Sequence, residues 1–245
     1  MGVRVPLRAI SYYHSLHVAR DGLKTNVIKN KIEFYFLLYN KKGDIDKMSV
    51  GNWNVKISTN GMPQKVATAC AKLNETIVGA EYTPIAYLGS QLVNGTNHAV
   101  LAEQLIVTGK DVKNIVVLTF NEKPKEPEAT LVSIERVVES GEGFGGTTID
   151  VKVEEDIPSD IITEIWNPAL EGRLGAKFRP FAYLGSQMTK GINHIFVVEI
   201  SSITPDGQDE VALGIINQID KKVYFADLLA NKQESMLGYA FNWLS

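Results

Sequence analysis

The strongest constraint on the fold is a nine-residue stretch that occurs twice. The first copy, residues 83–91, reads TPIAYLGSQ, and the second, residues 179–187, reads RPFAYLGSQ. In each copy a short turn, then Gly, then Asn-His follows, and matched residues lie 96 positions apart. A constant offset over such a length indicates a duplicated structural unit. We therefore expect at least two similar units in this chain.

Composition narrows the classes of function. The 245 residues are 44% hydrophobic and 22% charged, with a formal net charge of −3, so the chain can bury a core and offers no basic face for nucleic acid. No apolar segment reaches the length of a membrane span, and the N-terminus lacks the apolar region of a secretory signal. We expect no membrane insertion, and either a cytoplasmic protein if the sequence is complete or an extracellular one if it is already processed.

The first full copy, residues 50–139, is predicted to be a strand, a helix and a four-stranded antiparallel meander. Val66, Cys70, Leu73 and Ile77 recur at helical spacing after a proline. Strands are expected over residues 51–57, 82–93, 97–107, 114–120 and 130–138. The Asn94-Gly95 pair predicts a hairpin with a type I′ turn, which needs a positive φ at both residues.

The second full copy, residues 140–232, repeats this plan. The strand at 150–153 is matched with residues 54–57, the helix is expected over 158–172 with a bend at Pro168, and four strands are expected over 178–189, 193–203, 211–219 and 223–229. The glycines at 141, 143 and 146 satisfy G-x-G-x-x-G. A dinucleotide site needs a helix after that motif, whereas a strand is predicted here, so a turn between the two units is favoured.

A partial third copy is predicted over residues 1–49. The spacing from His17 to Asn40 is 23 positions, as it is from His98 to Asn121 and from His194 to Asn217. This copy would have strands but no helix, and would leave an apolar face to be covered. The tail at 233–245 could cover it in the same chain or in another, through an apolar stripe made of Met236, Leu237, Ala240, Trp243 and Leu244.

The helix followed by a meander, with Gln91-Leu92-Val93-Asn94-Gly95 at the first hairpin, resembles the cystatin family, whose signature there is Gln-x-Val-x-Gly. The words EYTPIAYLGSQ, ending at Gln91, and ALEG, residues 169–172, are similar to bacterial cystatin-like repeats. The resemblance implies an α+β fold in which a helix is gripped by a curved antiparallel sheet. In true cystatins it also implies inhibition of papain-like cysteine proteases by an N-terminal glycine segment and two hairpins.

Carried onto this chain, the resemblance assigns protease contact to the first copy, through an N-terminal segment and a hairpin made of Gly51, Trp53, Gln91, Leu92, Val93, Asn94 and Gly95. The second hairpin of that copy, residues 121–127, lacks the Pro-Trp pair of many cystatins. The second copy departs further, because it has Thr189 and the charged Lys190 at its hairpin and a polar turn over 220–222.

No enzyme motif is present, and no catalytic residue, metal or cofactor is predicted. His98 and His194 are interpreted as supports of their hairpins, and Cys70 as an inert thiol on an apolar helical face. Two hypotheses remain. The chain is either a non-enzymatic binding or self-assembly protein, whose partner is another protein or a copy of itself, or an inhibitor of a cysteine protease.

Overall fold

The computed structural model describes residues 51–108, 110–203 and 207–229, which all belong to one compact unit, Met48–Ser245. The predicted partial copy over 1–49 and the tail over 233–245 lie outside the described residues. They therefore stay predictions, as do the assembly roles given to the tail.

The first copy forms a five-stranded antiparallel sheet whose spatial order is its sequence order. A single helix, α1 (Gln64–Thr76), lies between its first and second strands in the sequence. The strands are β1 (Trp53–Ser58), β2 (Ala80–Val93), β3 (Gly95–Thr108), β4 (Lys110–Glu122) and β5 (Thr130–Glu139).

The second copy forms a second sheet of the same order. Its strands are β6 (Thr147–Val153), β7 (Ala176–Thr189), β8 (Gly191–Ser202), β9 (Glu210–Asn217) and β10 (Val223–Asp227). The predicted helix at 158–172 is a π-helix, Ile161–Trp166, which continues into a short α-helix, α2 (Asn167–Leu170). A 3₁₀ turn, Glu154–Asp156, precedes them. The strand at 147–153 confirms that the glycine motif does not open a helix.

Each sheet buries its two faces differently. On one face a helix packs against alternate strand residues, as Val66 and Leu73 of α1 do against Val100 and Leu118. The equivalent cluster in the second copy joins Ile165 and Trp166 to the second sheet. Because every second residue of a strand points to one face, the intervening residues remain free to pack on the other side.

The other faces of the two sheets pack against each other and form one core. Leu88 and Leu101 of the first sheet belong to the same buried cluster as Leu184 and Val197 of the second. The layers therefore run helix, sheet, sheet, helix. This arrangement explains the uninterrupted apolar runs in β3, β4, β8 and β9, which are typical of strands buried on both faces.

The glycine of each AYLGSQ stretch is required by a close approach between strands. A Cβ on Gly89 would lie 2.4 Å from the carbonyl oxygen of Asn54, and one on Gly185 would lie 2.0 Å from that of Thr148. The register shifts beside both glycines, as expected for bulges that bend a sheet. The duplicated glycine is thus a feature of sheet curvature.

The strand pairing corrects one predicted match between the copies. Asn54 lies opposite Ser90, and the residue opposite Ser186 is Thr148. Thr148, not Asp150, is therefore the counterpart of Asn54, and the match of residues 150–153 with 54–57 is wrong by two positions. The second copy has two additional residues between its first and second strands.

The α+β class is confirmed at the level of two antiparallel sheets and few helices. Within the described part of the chain, no helix is long and apolar enough to cross a membrane. The burial of Val66, Cys70 and Leu73 also confirms the predicted apolar face of the first helix.

The shared core predicts a large loss of stability when Leu88 is shortened. Leu88 is fully buried between the sheets, so Leu88→Ala should lower the free energy of unfolding by about 2–5 kcal/mol. Leu174→Ala is the matched control, because Leu174 is 94% exposed, and it should change that free energy by less than about 0.5 kcal/mol. Urea denaturation measures both. Equal effects of the two substitutions would contradict a shared core.

Candidate functional site

Three segments of each copy meet at one end of its sheet. In the first copy they are the segment entering β1, the β2–β3 hairpin and the β4–β5 loop. The amide of Gly51 donates to the carbonyl oxygen of Leu92 over 3.2 Å, and Thr96 lies opposite Glu122. The meander topology brings these segments together, because β1 pairs with β2 and β3 pairs with β4.

A chain of side-chain amides joins the three segments. Nε2 of Gln91 donates to the carbonyl oxygen of Gly51 over 2.9 Å, and Nδ2 of Asn97 donates to Oε1 of Gln91 over 3.1 Å. Nδ2 of Asn121 then donates to Oδ1 of Asn97 over 2.8 Å. Since each amide is both donor and acceptor, the chain runs from β4 across β3 and β2 to the segment before β1 with one orientation throughout.

The second copy repeats this chain of amides. Gln187 donates to the carbonyl oxygen of Gly145 over 3.0 Å, Asn193 donates to Gln187 over 3.3 Å, and Asn217 donates to Asn193 over 2.8 Å. The Oδ1 atom of Asn217 also accepts from the backbone amide of Ile219 over 3.0 Å. Because Asn193 is fully buried and Gln187 and Asn217 nearly so, the pairing satisfies groups whose isolation would be costly. The Gln and Asn of the duplicated motif therefore hold the hairpins in place.

The first hairpin does not contain the predicted type I′ turn. Gly95 has a φ of 96°, but Asn94 is not among the residues with positive φ, and Leu92 lies opposite Thr96. These features fit a three-residue connection with a left-handed glycine at its last position. The type I′ prediction was wrong because the Asn-Gly dipeptide alone does not fix the length of the loop.

Two tyrosine–histidine pairs lie beneath the amide chains. The hydroxyl of Tyr87 lies 3.0 Å from Nδ1 of His98, and that of Tyr183 lies 3.2 Å from Nδ1 of His194. Burial lowers the pKa of His98, against an opposing pull from the Glu122 carboxylate, whose Oε2 lies 3.5 Å from Nε2. Burial also lowers the pKa of His194, assisted by the positive charge of Lys221 and opposed by Asp160. Both imidazoles are therefore favoured in the neutral form.

Cys70 lies buried on the inner face of α1, where desolvation raises the pKa of its thiol to about 11. A thiol with so high a pKa is a poor nucleophile at neutral pH. Throughout residues 51–108, 110–203 and 207–229, no three His, Cys, Asp or Glu side chains are grouped so that they could hold a metal ion.

The residues predicted for protease contact lie together but differ in accessibility. Gln91 is only 5% exposed, and its amide is committed to Gly51 and Asn97. Trp53 is half-buried and packs against the core between the sheets. Val93 and Asn94 are exposed, whereas Leu92 and Gly95 are half-buried. Gly51 is exposed as well, so the solvent-facing part of this end is Gly51 and the hairpin tip.

The corresponding end of the second copy carries a group of exposed apolar side chains, here called the apolar tip. It consists of Phe144, Met188, Ile192 and Ile219, which are 82%, 61%, 39% and 69% exposed. Met188 lies opposite Ile192 across the hairpin. The carbonyl oxygen of Met188 accepts a hydrogen bond from the amide of Gly145, which follows Phe144 in the sequence. The amide of Gln218, next to Ile219, donates to the carbonyl oxygen of Ile192 over 2.8 Å. All three segments thus contribute to the apolar tip.

Sequence reasoning missed the apolar tip because its members are distant in the chain. The offset of 96 positions places Leu92, Thr96 and Lys123 where the second copy has Met188, Ile192 and Ile219. Two of the three exchanges replace a polar or charged residue by isoleucine. Aligning the loops as well as the strands would have revealed this difference.

The neutral, buried histidines predict a stability that falls in acid. Their folded-state pKa values lie below the ordinary value of about 6.5, so the unfolded chain binds more protons as the pH drops below that value. The free energy of unfolding should be highest above pH 6.5 and should decrease between pH 6.5 and 5. Urea titrations at several pH values measure this slope.

Replacing both histidines by glutamine tests whether they cause this dependence of the free energy of unfolding on pH. In the His98→Gln/His194→Gln variant the free energy of unfolding should decrease less between pH 6.5 and 5 than in the wild type, whatever the stability of the variant at pH 7.5. An unchanged slope would mean that neither imidazole is held neutral in the folded protein.

Comparison with known proteins assigns no family to the chain. No protein-family model matches it, and no curated protein matches it significantly. Its function is therefore argued from the geometry of the hairpin ends.

Proposed function

We propose that this chain is a non-enzymatic protein-binding protein built from two cystatin-like units, whose binding surfaces are the hairpin ends of its sheets. The cystatin-like assignment is supported by a helix placed between the first and second strands of a five-stranded meander in both copies. The observation that carries the proposed function is the apolar tip. Four apolar side chains from three converging segments are exposed together there.

Exposed apolar groups in one place favour contact with another macromolecule. Single exposed apolar residues are common, whereas a contiguous group rimmed by polar residues marks an interaction surface. The rim here includes Glu142, Lys190 and Gln218, all exposed. The amide chain below fixes the loops before binding, which lowers the entropic cost of ordering them.

A protein is favoured over a small molecule as the ligand of the apolar tip, because the tip is formed by the ends of paired strands. Small ligands bind in concave pockets that surround most of their surface. Hairpin ends instead project and insert into a groove of a partner. The chemistry of that groove would be apolar.

Capture with the immobilised full-length chain tests this function. The wild type should retain one or a few proteins from a lysate of its source organism, and Met188→Asp should lose them because it places a charge in the apolar tip. Val132→Asp is the matched control, since Val132 is 58% exposed on β5 of the other sheet, and it should retain them. Equal retention by the wild type and Met188→Asp would overturn the proposal.

Inhibition of papain-like cysteine proteases is a second candidate function. It is favoured by one observation, the meeting of Gly51, the hairpin at 92–95 and the loop after Glu122 at one end of the first sheet. In this function Val93 and Asn94 would enter the protease groove. Gln91 would act by holding Gly51 against the hairpin.

Papain itself is the probe for the second candidate. If this function holds, the wild-type chain should inhibit papain at micromolar concentration, and Val93→Asp should weaken inhibition by about tenfold or more, as expected when a charge enters an apolar contact. Thr189→Asp, at the matching position of the second copy, should inhibit like the wild type. A lack of inhibition by the wild type would remove this function and leave the first untouched.

A further inference from the structure

We propose that the partner of the apolar tip is a second copy of this chain, which receives the tip in an open pocket beside its π-helix. This inference rests on the proposed protein-binding function and specifies its partner. The pocket has a volume of about 500 Å³ and is lined by Trp166, Asn167, Pro168, Leu170, Glu171 and Phe178.

The pocket and the tip are complementary in chemistry. The pocket presents the apolar groups of Pro168, Leu170 and Phe178 beside the buried ring of Trp166, and the tip presents the exposed side chains of Phe144, Met188 and Ile219. The pocket is an open depression of about 500 Å³, so one or two such side chains can lie against it.

Charge is complementary as well. Lys190 stands at the end of the hairpin within the tip, and Glu171 stands in the pocket wall, and both are exposed. Neither side chain forms an ion pair with any residue that the structure describes. The nearby Arg173 is engaged with the ring of Phe225, 5.8 Å from its centroid. Lys190 of one copy can therefore pair with Glu171 of the next.

The two surfaces lie at opposite ends of one strand. Phe178 is near the start of β7 and Met188 is near its end, so ten residues at about 3.3 Å each separate them by roughly 33 Å. A tip therefore cannot reach the pocket of its own unit. The contact joins two different patches, so it either closes into a two-fold dimer with two reciprocal tip–pocket contacts or adds copies head to tail into a ring or an open filament.

The test is the mass of the full-length chain as a function of concentration, measured by light scattering after size exclusion and by sedimentation velocity. The wild type should show the mass of a dimer or of a larger assembly as concentration rises. Met188→Asp should remain monomeric, and Val132→Asp should assemble like the wild type. A wild type that is monomeric up to several hundred micromolar would overturn the inference.

Charge reversal distinguishes this contact from a tip-to-tip contact. Lys190→Glu and Glu171→Lys should each raise the dissociation constant by roughly three- to tenfold, because each places like charges at an exposed contact. The double variant Lys190→Glu/Glu171→Lys should recover most of the lost affinity. Tip-to-tip association would respond to Lys190→Glu alone and would leave Glu171→Lys unchanged, which would refute the pocket.

Mixing two variants gives the most specific result. Met188→Asp keeps an intact pocket and Glu171→Lys keeps an intact tip, so an equimolar mixture should form a complex at concentrations at which Glu171→Lys alone is monomeric. Absence of that complex would count against the pairing of tip and pocket. If the wild type is monomeric while tip-dependent capture of another protein persists, this inference fails and the proposed protein-binding function stands.

Discussion

The contact between the two sheets is the constraint on which the remaining structure depends. It uses one face of each sheet, and the helices use the other, so most residues of the central strands β3, β4, β8 and β9 are committed to packing. In a protein of this kind, functional variation can occur only at the ends of the strands, at the sheet edges and in the connections. The hairpin ends are where the two copies differ most in chemistry, and the apolar tip lies there.

The duplicated motif belongs to the scaffold more than to the site. Its glycine permits close strand approach, its tyrosine meets the histidine, and its glutamine and asparagine hold the loops. These roles need several residues at once, since an amide without its neighbour is left unsatisfied in a buried place. The tip residues carry no such mutual requirement. This difference explains how two copies can keep one scaffold and present a half-buried Leu92 in one and an exposed Met188 in the other.

Much of the fold could be predicted from the sequence, because alternation, helical spacing and turn residues report on local structure. The face of α1 followed from Val66, Cys70 and Leu73. The shared core was missed, although the apolar runs of β3 and β8 showed that both faces are buried; the pattern does not say what covers the second face. The apolar tip was missed because it joins residues 75 positions apart, from Phe144 to Ile219, which only the tertiary fold brings together. The histidine-to-asparagine spacing of 23 positions arises because each histidine directly follows the first asparagine of a bonded pair, Asn97–Asn121 or Asn193–Asn217, whose members lie 24 positions apart. In the predicted partial copy Leu16 precedes His17, where the full copies have asparagine.

The two additional residues of the second copy lie in the connections around its helices. The stretch between its first and second strands contains the 3₁₀ turn, the π-helix and α2, whereas the first copy has the regular α1. The π-helix and α2 together hold ten residues, fewer than the 13 of α1, so the additional length lies in the connections before and after them. Pairing within the sheets is the same in both copies beyond that point. The connections of the outer layer thus absorb this insertion, and they are the natural place to add sequence without moving the hairpin ends.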